Sequence, residues 1–209
     1  MSTKNEIALE DLRDVEVIEE IRAIMNVIST SMAIPLYLMF WVADLIYAPQ
    51  FKWQFLGLRL TIIPICFLCR HESRKEQTAR QAQLLCAAFA GLLALPINVM
   101  ILMIPDVGTG YYAGLNLVAI GCLSFIPYSM NFFIASTFAV YFPYYLVVFS
   151  KAGSLQDVFD ILLNSFFIVG SIIICFVIRI YHEKLRMRDL NIRLALRNEI
   201  ANRMNQDDL

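Results

Sequence analysis

The chain has 209 residues, of which 59% are hydrophobic and only 17% charged, and its mean hydropathy is +0.62. Soluble domains hold about 45–50% apolar and about 25% charged residues, so this composition excludes a soluble globular protein. Low Gly and Pro and a net charge of −1 exclude a disordered or collagen-like chain and a general nucleic-acid binder, which leaves an integral membrane protein.

Residues 1–24 form the first expected element, an acidic amphipathic helix. From Glu6 onward it carries seven acidic residues, with Leu9, Leu12, Val15, Val17, Ile18, Ile21 and Ile24 on a helical stripe. An acidic helix is repelled by anionic lipid, so it is expected to pack on protein: on the basic loop at residues 70–80 or on a partner subunit. A solvated helical extension is the alternative.

Six apolar stretches follow, at 25–47, 53–69, 82–104, 112–127, 132–150 and 158–180. Each comes near the roughly 20 residues that cross about 30 Å of hydrocarbon as a helix. The runs are continuously apolar rather than alternating, which argues against a strand barrel. The split between the fourth and fifth rests on Pro127-Tyr128-Ser129-Met130-Asn131, where a hairpin is expected. With six spans, fourteen of the seventeen Lys and Arg residues fall on one side, Lys52 and Lys151 on the other, and Arg59 inside the second span. Both termini are therefore expected in the cytoplasm, and no cleavable signal peptide is visible before the first span.

Residues 181–209 run basic and helical without Gly or Pro. Met187, Leu190, Leu194, Ala201 and Met204, interrupted by Arg197, offer one coiled-coil seam and Leu185, Ile192 and Leu196 another. Such a helix can dimerise and pass a rotation to a following domain; a basic helix held at anionic headgroups is the alternative. The chain stops at Leu209 in mid-helix, and a further domain is expected to follow it.

No motif for chemistry emerges. His182-Glu183-Lys184-Leu185-Arg186 superficially resembles the start of a phosphoacceptor box but lacks the Thr/Asn-Pro that should follow. Cys66-x-x-Cys69 beside His71 lacks a second ligand pair, and cysteine within spans commonly packs as a small hydrophobe. No catalytic residue, metal or cofactor is expected.

Polar groups within spans are costly and therefore informative. Asp44 and Arg59 fall at similar depth in the extracytoplasmic half, where an ion pair between them serves equally as a clamp or a ligand contact. Tyr37, Trp41, Tyr111, Tyr112 and Asn116 complete the expected ligand-binding set; interfacial belts are the other reading of the aromatics. Asn98, Ser124, Asn164 and Ser165 add further hydrogen-bonding groups, and Gly110-x-x-x-Gly114 permits close helix approach.

At these residues a family resemblance emerges. Pro35-Leu36-Tyr37-Leu38-Met39-Phe40-Trp41, Pro49, Leu56-Gly57-Leu58-Arg59, Leu95-Pro96, Met103-Ile104-Pro105-Asp106 and Tyr111-Tyr112-Ala113-Gly114-Leu115-Asn116-Leu117 together resemble the six-transmembrane sensor region of α-hydroxyketone quorum-sensing receptor histidine kinases. Related anchors occur in class III nucleotide cyclases. The resemblance covers residues 25–180 and implies an all-α integral-membrane six-helix bundle in a bacterial inner membrane. It further implies a homodimer that takes a small amphipathic ligand between its helices and relays occupancy to a kinase or adenylate/guanylate cyclase output domain. Tyr111 and Tyr112 stand where the ketone receptors carry tryptophan, so ligand identity stays open, as does the choice of output. A small transporter and a passive dimerising anchor are the rival expectations.

Overall fold

The computed structural model describes residues 2–105 and 110–207, with side chains described for 14–105, 110–189, 191–193, 195 and 196. Among the described residues the fold is all-helical, without strands. The side chains of Leu9, Leu12, Leu190, Leu194, Arg197, Ala201 and Met204, and the whole of Asp106, lie outside them.

The chain opens as one helical rod: α1 (Ser2–Val27), a π-helical stretch (Ile28–Ala33) and α2 (Ile34–Tyr47). The widened stretch has a local cause. Pro35 has no N–H to return to the carbonyl of Ser31, and its ring crowds that turn. Just upstream, the Ser29 hydroxyl donates to the Met25 carbonyl at 2.5 Å and that of Thr30 to Asn26 at 2.7 Å.

A 3-10 turn (Pro49–Phe51) leads to α3 (Lys52–Leu60) and α4 (Ile62–Ser73). The break at Thr61 follows from Pro64, which cannot donate to the carbonyl of Leu60. The longer helix α5 (Ala79–Met103) starts at a capping box in which the Gln81 amide donates to Thr78 Oγ1 at 3.3 Å and Thr78 N to Gln81 Oε1 at 3.0 Å. Next come α6 (Tyr112–Leu123), α7 (Met130–Lys151) and α8 (Leu155–Asp207).

Among the described residues five stretches are long and apolar enough to cross a membrane: Asp14–Tyr47, Pro49–Ser73, Ala79–Met103, Met130–Lys151 and Leu155–Arg193. The fourth expected span is only partly helical, because α6 has 12 residues and ends at Leu123. Pro127 disfavours helix at Ile126 before it, and the chain instead turns, the Tyr128 amide donating to the Ile126 carbonyl at 2.8 Å. The expected boundaries at 24/25 and 180/181 fall inside continuous helices.

Helix α5 is the centre of the bundle. Ala82, Cys86, Phe89, Ala90, Leu93, Ala94 and Ile97 are buried along it, while large apolar side chains on α7 and α8 face outward. Lipid supplies no hydrophobic force between helices, so close contact at small residues must hold them. A Cβ on Gly91 would lie 3.4 Å from that of Ala139, and one on Gly114 only 3.3 Å from Ile97 Cδ1. The close approach expected at Gly110-x-x-x-Gly114 is thus realised at Gly114, whereas Gly110 faces open space. All five cysteines are free and buried, as packing residues are.

The acidic helix packs on protein. Val17, Ile21 and Met25 are buried. The end of α4 and the loop after it receive the helix through their carbonyls, which accept from Arg22 at 3.1 Å (Ser73) and 3.4 Å (Lys75). The acids instead meet arginines of α8: Glu16 lies 3.2 Å from Arg193 and Glu20 lies 3.7 Å from Arg186. On α8 itself Leu185, Ile192 and Leu196 are exposed and Met187 is half-buried.

Candidate functional site

Between α2 and α6 the bundle leaves a groove of about 1130 Å³. One wall is a stripe with a spacing of four that runs along the π-helical stretch and α2, Ile28, Met32, Leu36, Phe40 and Asp44, and that spacing keeps side chains near one helix face. Gly114, Leu117, Val118, Gly121 and Phe125 of α6 form the opposite wall, and Leu93 and Ile97 of α5 the floor. The glycines keep it open: a Cβ on Gly121 would meet nothing within 4 Å.

Polar groups gather at the end near Asp44. Arg59 grips Asp44 through two hydrogen bonds, Nε to Oδ2 at 2.5 Å and Nη2 to Oδ1 at 2.8 Å. The side chains are 5% and 0% exposed. Charges this buried need full pairing. Tyr111 supplies a third bond, its hydroxyl donating to Asp44 Oδ1 at 2.8 Å, while Arg59 Nη1 donates to the Tyr37 carbonyl at 3.3 Å. The Tyr37 hydroxyl donates to the Leu93 carbonyl, tying α2 to α5. Lys151 also lines the groove, its ammonium donating to the carbonyls of Ile101 at 2.6 Å and Ile104 at 2.5 Å. A cation at these C-terminal carbonyls of α5 favours its dipole. Asp157 and Asp160 of α8 complete this mouth, and Asp157 accepts from the amides of Gly153 and Ser154 as a helix cap.

The expected site residues divide. Tyr37, Asp44, Arg59 and Tyr111 converge on the groove. Three others do not line it. Trp41 points to the α2–α3 connection, where its Nε1 donates to the Lys52 carbonyl at 3.1 Å and its ring sits 6.3 Å from that of Trp53. Tyr112 turns to α8, stacked 6.1 Å from Phe167. Asn116 faces α7, where Oδ1 accepts from the Tyr141 hydroxyl at 2.9 Å. On that side Tyr145 also donates to Ser165 at 3.0 Å.

Sequence reasoning missed the apolar wall from Ile28 to Phe40, and with it Gly121 and Lys151. Lipid-facing helices carry the same spacing, so the pattern alone does not distinguish a groove wall from a bilayer contact. The Ser29-Thr30-Ser31 cluster ahead of Pro35 is the one local signal of an irregular turn there. Among the described residues no group of three or more His, Cys, Asp or Glu side chains is placed to hold a metal ion. Comparison of the chain with protein-family models, curated proteins and solved structures finds no match.

Proposed function

We propose that this chain is a membrane sensor module that binds an amphipathic molecule in the α2–α6 groove and relays its occupancy through α8 to an output domain or docked partner. One observation carries the reading. The groove has a polar end at Asp44, Arg59 and Tyr111 and an apolar remainder, and it ends at the π-helical stretch, whose rod continues into α1 and so reaches α8. A polar anchor with an apolar body is the usual character of a small-molecule site. The resemblance to α-hydroxyketone receptor kinases and cyclase anchors agrees with it.

In this reading the chain crosses the membrane six times, α6 and the turn after it making the fourth pass. Support comes from contacts at both its ends. Tyr111 meets Asp44 near the end of α2, while the Ser129 amide donates to Gln83 Oε1 at 2.8 Å near the start of α5. An even number of passes also agrees with the pairing of α1 with α8. The Lys/Arg distribution supports both termini in the cytoplasm, and a bacterial inner membrane is what the family resemblance implies. The exposed Leu185, Ile192 and Leu196 seam is the face on which a second copy pairs.

Binding of a tritiated α-hydroxyketone with a decyl tail to the chain in phosphatidylcholine vesicles tests the site. Saturable binding is expected. Phe40→Ala lowers its affinity by about tenfold through lost apolar contact, and Trp41→Phe leaves it unchanged. Equal binding by all three proteins refutes the groove as the site.

A further inference from the structure

We infer that the half of the bundle built from α5 to α8 holds two internal water sites, one at the Tyr144 hydroxyl and one at that of Tyr128. Six side chains in this half are more than nine-tenths buried and keep a polar atom without a hydrogen-bond partner among the described residues. They are Asn98 Oδ1, the Tyr144 hydroxyl and Asn164 Nδ2, and the hydroxyls of Ser124, Tyr128 and Ser136. The groove half differs: the buried side chains of Tyr37, Asp44 and Arg59 are all hydrogen-bonded. The sites therefore stand apart from the groove and do not rest on its being a ligand site.

Helix packing sorts the six by depth. Tyr145 donates to Ser165, so their neighbours Tyr144 and Asn164 share a level on α7 and α8, and these two side chains approach one another. Helices α5 and α7 run parallel, with Gln83 at Ser129 and Gly91 at Ala139. From the second contact Asn98 and Tyr144 rise about 10.5 Å and about 7.5 Å at 1.5 Å per residue, which puts Asn98 near the same level. The second group lies toward the cytoplasmic end. Ser136 is about 12 Å below Tyr144 along α7 and approaches Tyr128, whose carbonyl accepts from Arg179 at 3.0 and 2.7 Å. Ser124 caps α6 just ahead of it. Val140 falls on the same stripe of α7 as Ser136 and Tyr144 and is fully buried between them, so the two groups are separate.

The chemistry of the missing partners selects water. Hydrocarbon offers these atoms nothing, and a buried polar group left unpaired is costly. Asn98 Oδ1 only accepts, Asn164 Nδ2 only donates, and the hydroxyls do either. A cation would satisfy the acceptors alone and an anion the donors alone. Water does both, and a buried water makes about three hydrogen bonds, enough for each group. The pairs Tyr144 with Asn164 and Tyr128 with Ser136 approach without closing a bond of normal length and angle, a gap that a bridging molecule spans. A bridge through water loses little against a direct bond, so α8 can shift against α7 at Asn164 without stranding its amide.

The test is X-ray hydroxyl-radical footprinting of the chain in phosphatidylcholine vesicles, read by peptide mass spectrometry, because a radical born on a bound water oxidises the side chain that holds it. Tyr141 is the internal control: it is equally buried on α7, but its hydroxyl donates to Asn116 at 2.9 Å. Tyr128 and Tyr144 are expected to oxidise several-fold faster than Tyr141 and Phe89, although all four are buried. Asn164→Leu is expected to bring Tyr144 down toward the Tyr141 rate and to leave Tyr128 unchanged. The wild-type comparison stands without that variant. Tyr128 and Tyr144 oxidised no faster than Tyr141 would overturn both sites, and faster oxidation of one alone would overturn the other. Proton entry into vesicles loaded with a pH dye is expected to match that of protein-free vesicles, since Val140 closes the way between the sites. Faster entry that Tyr144→Phe slows would overturn two closed sites in favour of a continuous path.

Discussion

Two sets of ion pairs sit at opposite ends of the molecule, and they are built differently. At the groove's polar end Asp44 and Arg59 are almost fully buried, joined by two bonds and fixed further by Tyr111 and the Tyr37 carbonyl. At the other end Glu16 and Arg193 are 29% and 65% exposed, Glu20 and Arg186 are 41% and 13% exposed, and the arginines also pair along their own helix, Arg193 with Asp189 at 2.6 Å and Arg186 with Glu183. Breaking the first pair strands a charge in a low-dielectric site. Parting the second set leaves each arginine with a carboxylate beside it. One end is therefore fixed and the other exchangeable, the arrangement a relay needs if binding at a rigid site is to move a helix elsewhere.

The largest predicted effect breaks the fixed end. Arg59→Met leaves Asp44 uncompensated and costs about 3–5 kcal/mol, read as a fall in thermal unfolding temperature in detergent. The double variant Asp44→Leu/Arg59→Met recovers most of that loss, since no unpaired charge remains. Tyr111→Phe comes next. It removes one hydrogen bond to a charged group and costs about 1.5–3 kcal/mol by the same measurement. The smallest effect belongs to the exchangeable end, where Glu20→Gln costs about 0.2–1 kcal/mol. Its distinguishing mark is salt: the difference from wild type shrinks as the Debye length falls from about 10 Å at 0.1 M to about 3 Å at 1 M. The Arg59→Met loss persists at both concentrations. Equal salt sensitivity at the two ends would erase the contrast.

Much of this was legible in the sequence and some was not, for physical reasons. Long apolar runs between charge blocks announce membrane helices because crossing hydrocarbon demands them, and among the described residues five helical stretches are long and apolar enough to cross. Asp44 and Arg59 were legible as a pair, because two opposite charges at one depth in a span have little choice but each other. Helix α6 was not, because hydropathy does not register how early Pro127 and its neighbours end a helix. The rotation of each aromatic escaped for a related reason. Tyr111 and Tyr112 are adjacent, yet 100° around a helix sends one to Asp44 and the other to Phe167. The partners of the acidic helix were half legible: its need for protein contact followed from charge, but which arginines it meets depends on how α1 and α8 pack.

The most direct test of the sensor reading is the distance between α1 and α8 with the groove empty and filled. Spin labels at Glu19→Cys and Arg188→Cys, both exposed positions, report it while the five native cysteines stay buried. In vesicles, the α-hydroxyketone with a decyl tail is predicted to shift the distance distribution of the otherwise wild-type chain and to leave that of a Gly121→Trp variant, whose indole fills the groove, unmoved. An unchanged distribution at saturating ligand, or the same shift in both proteins, would contradict a relay that begins in the groove.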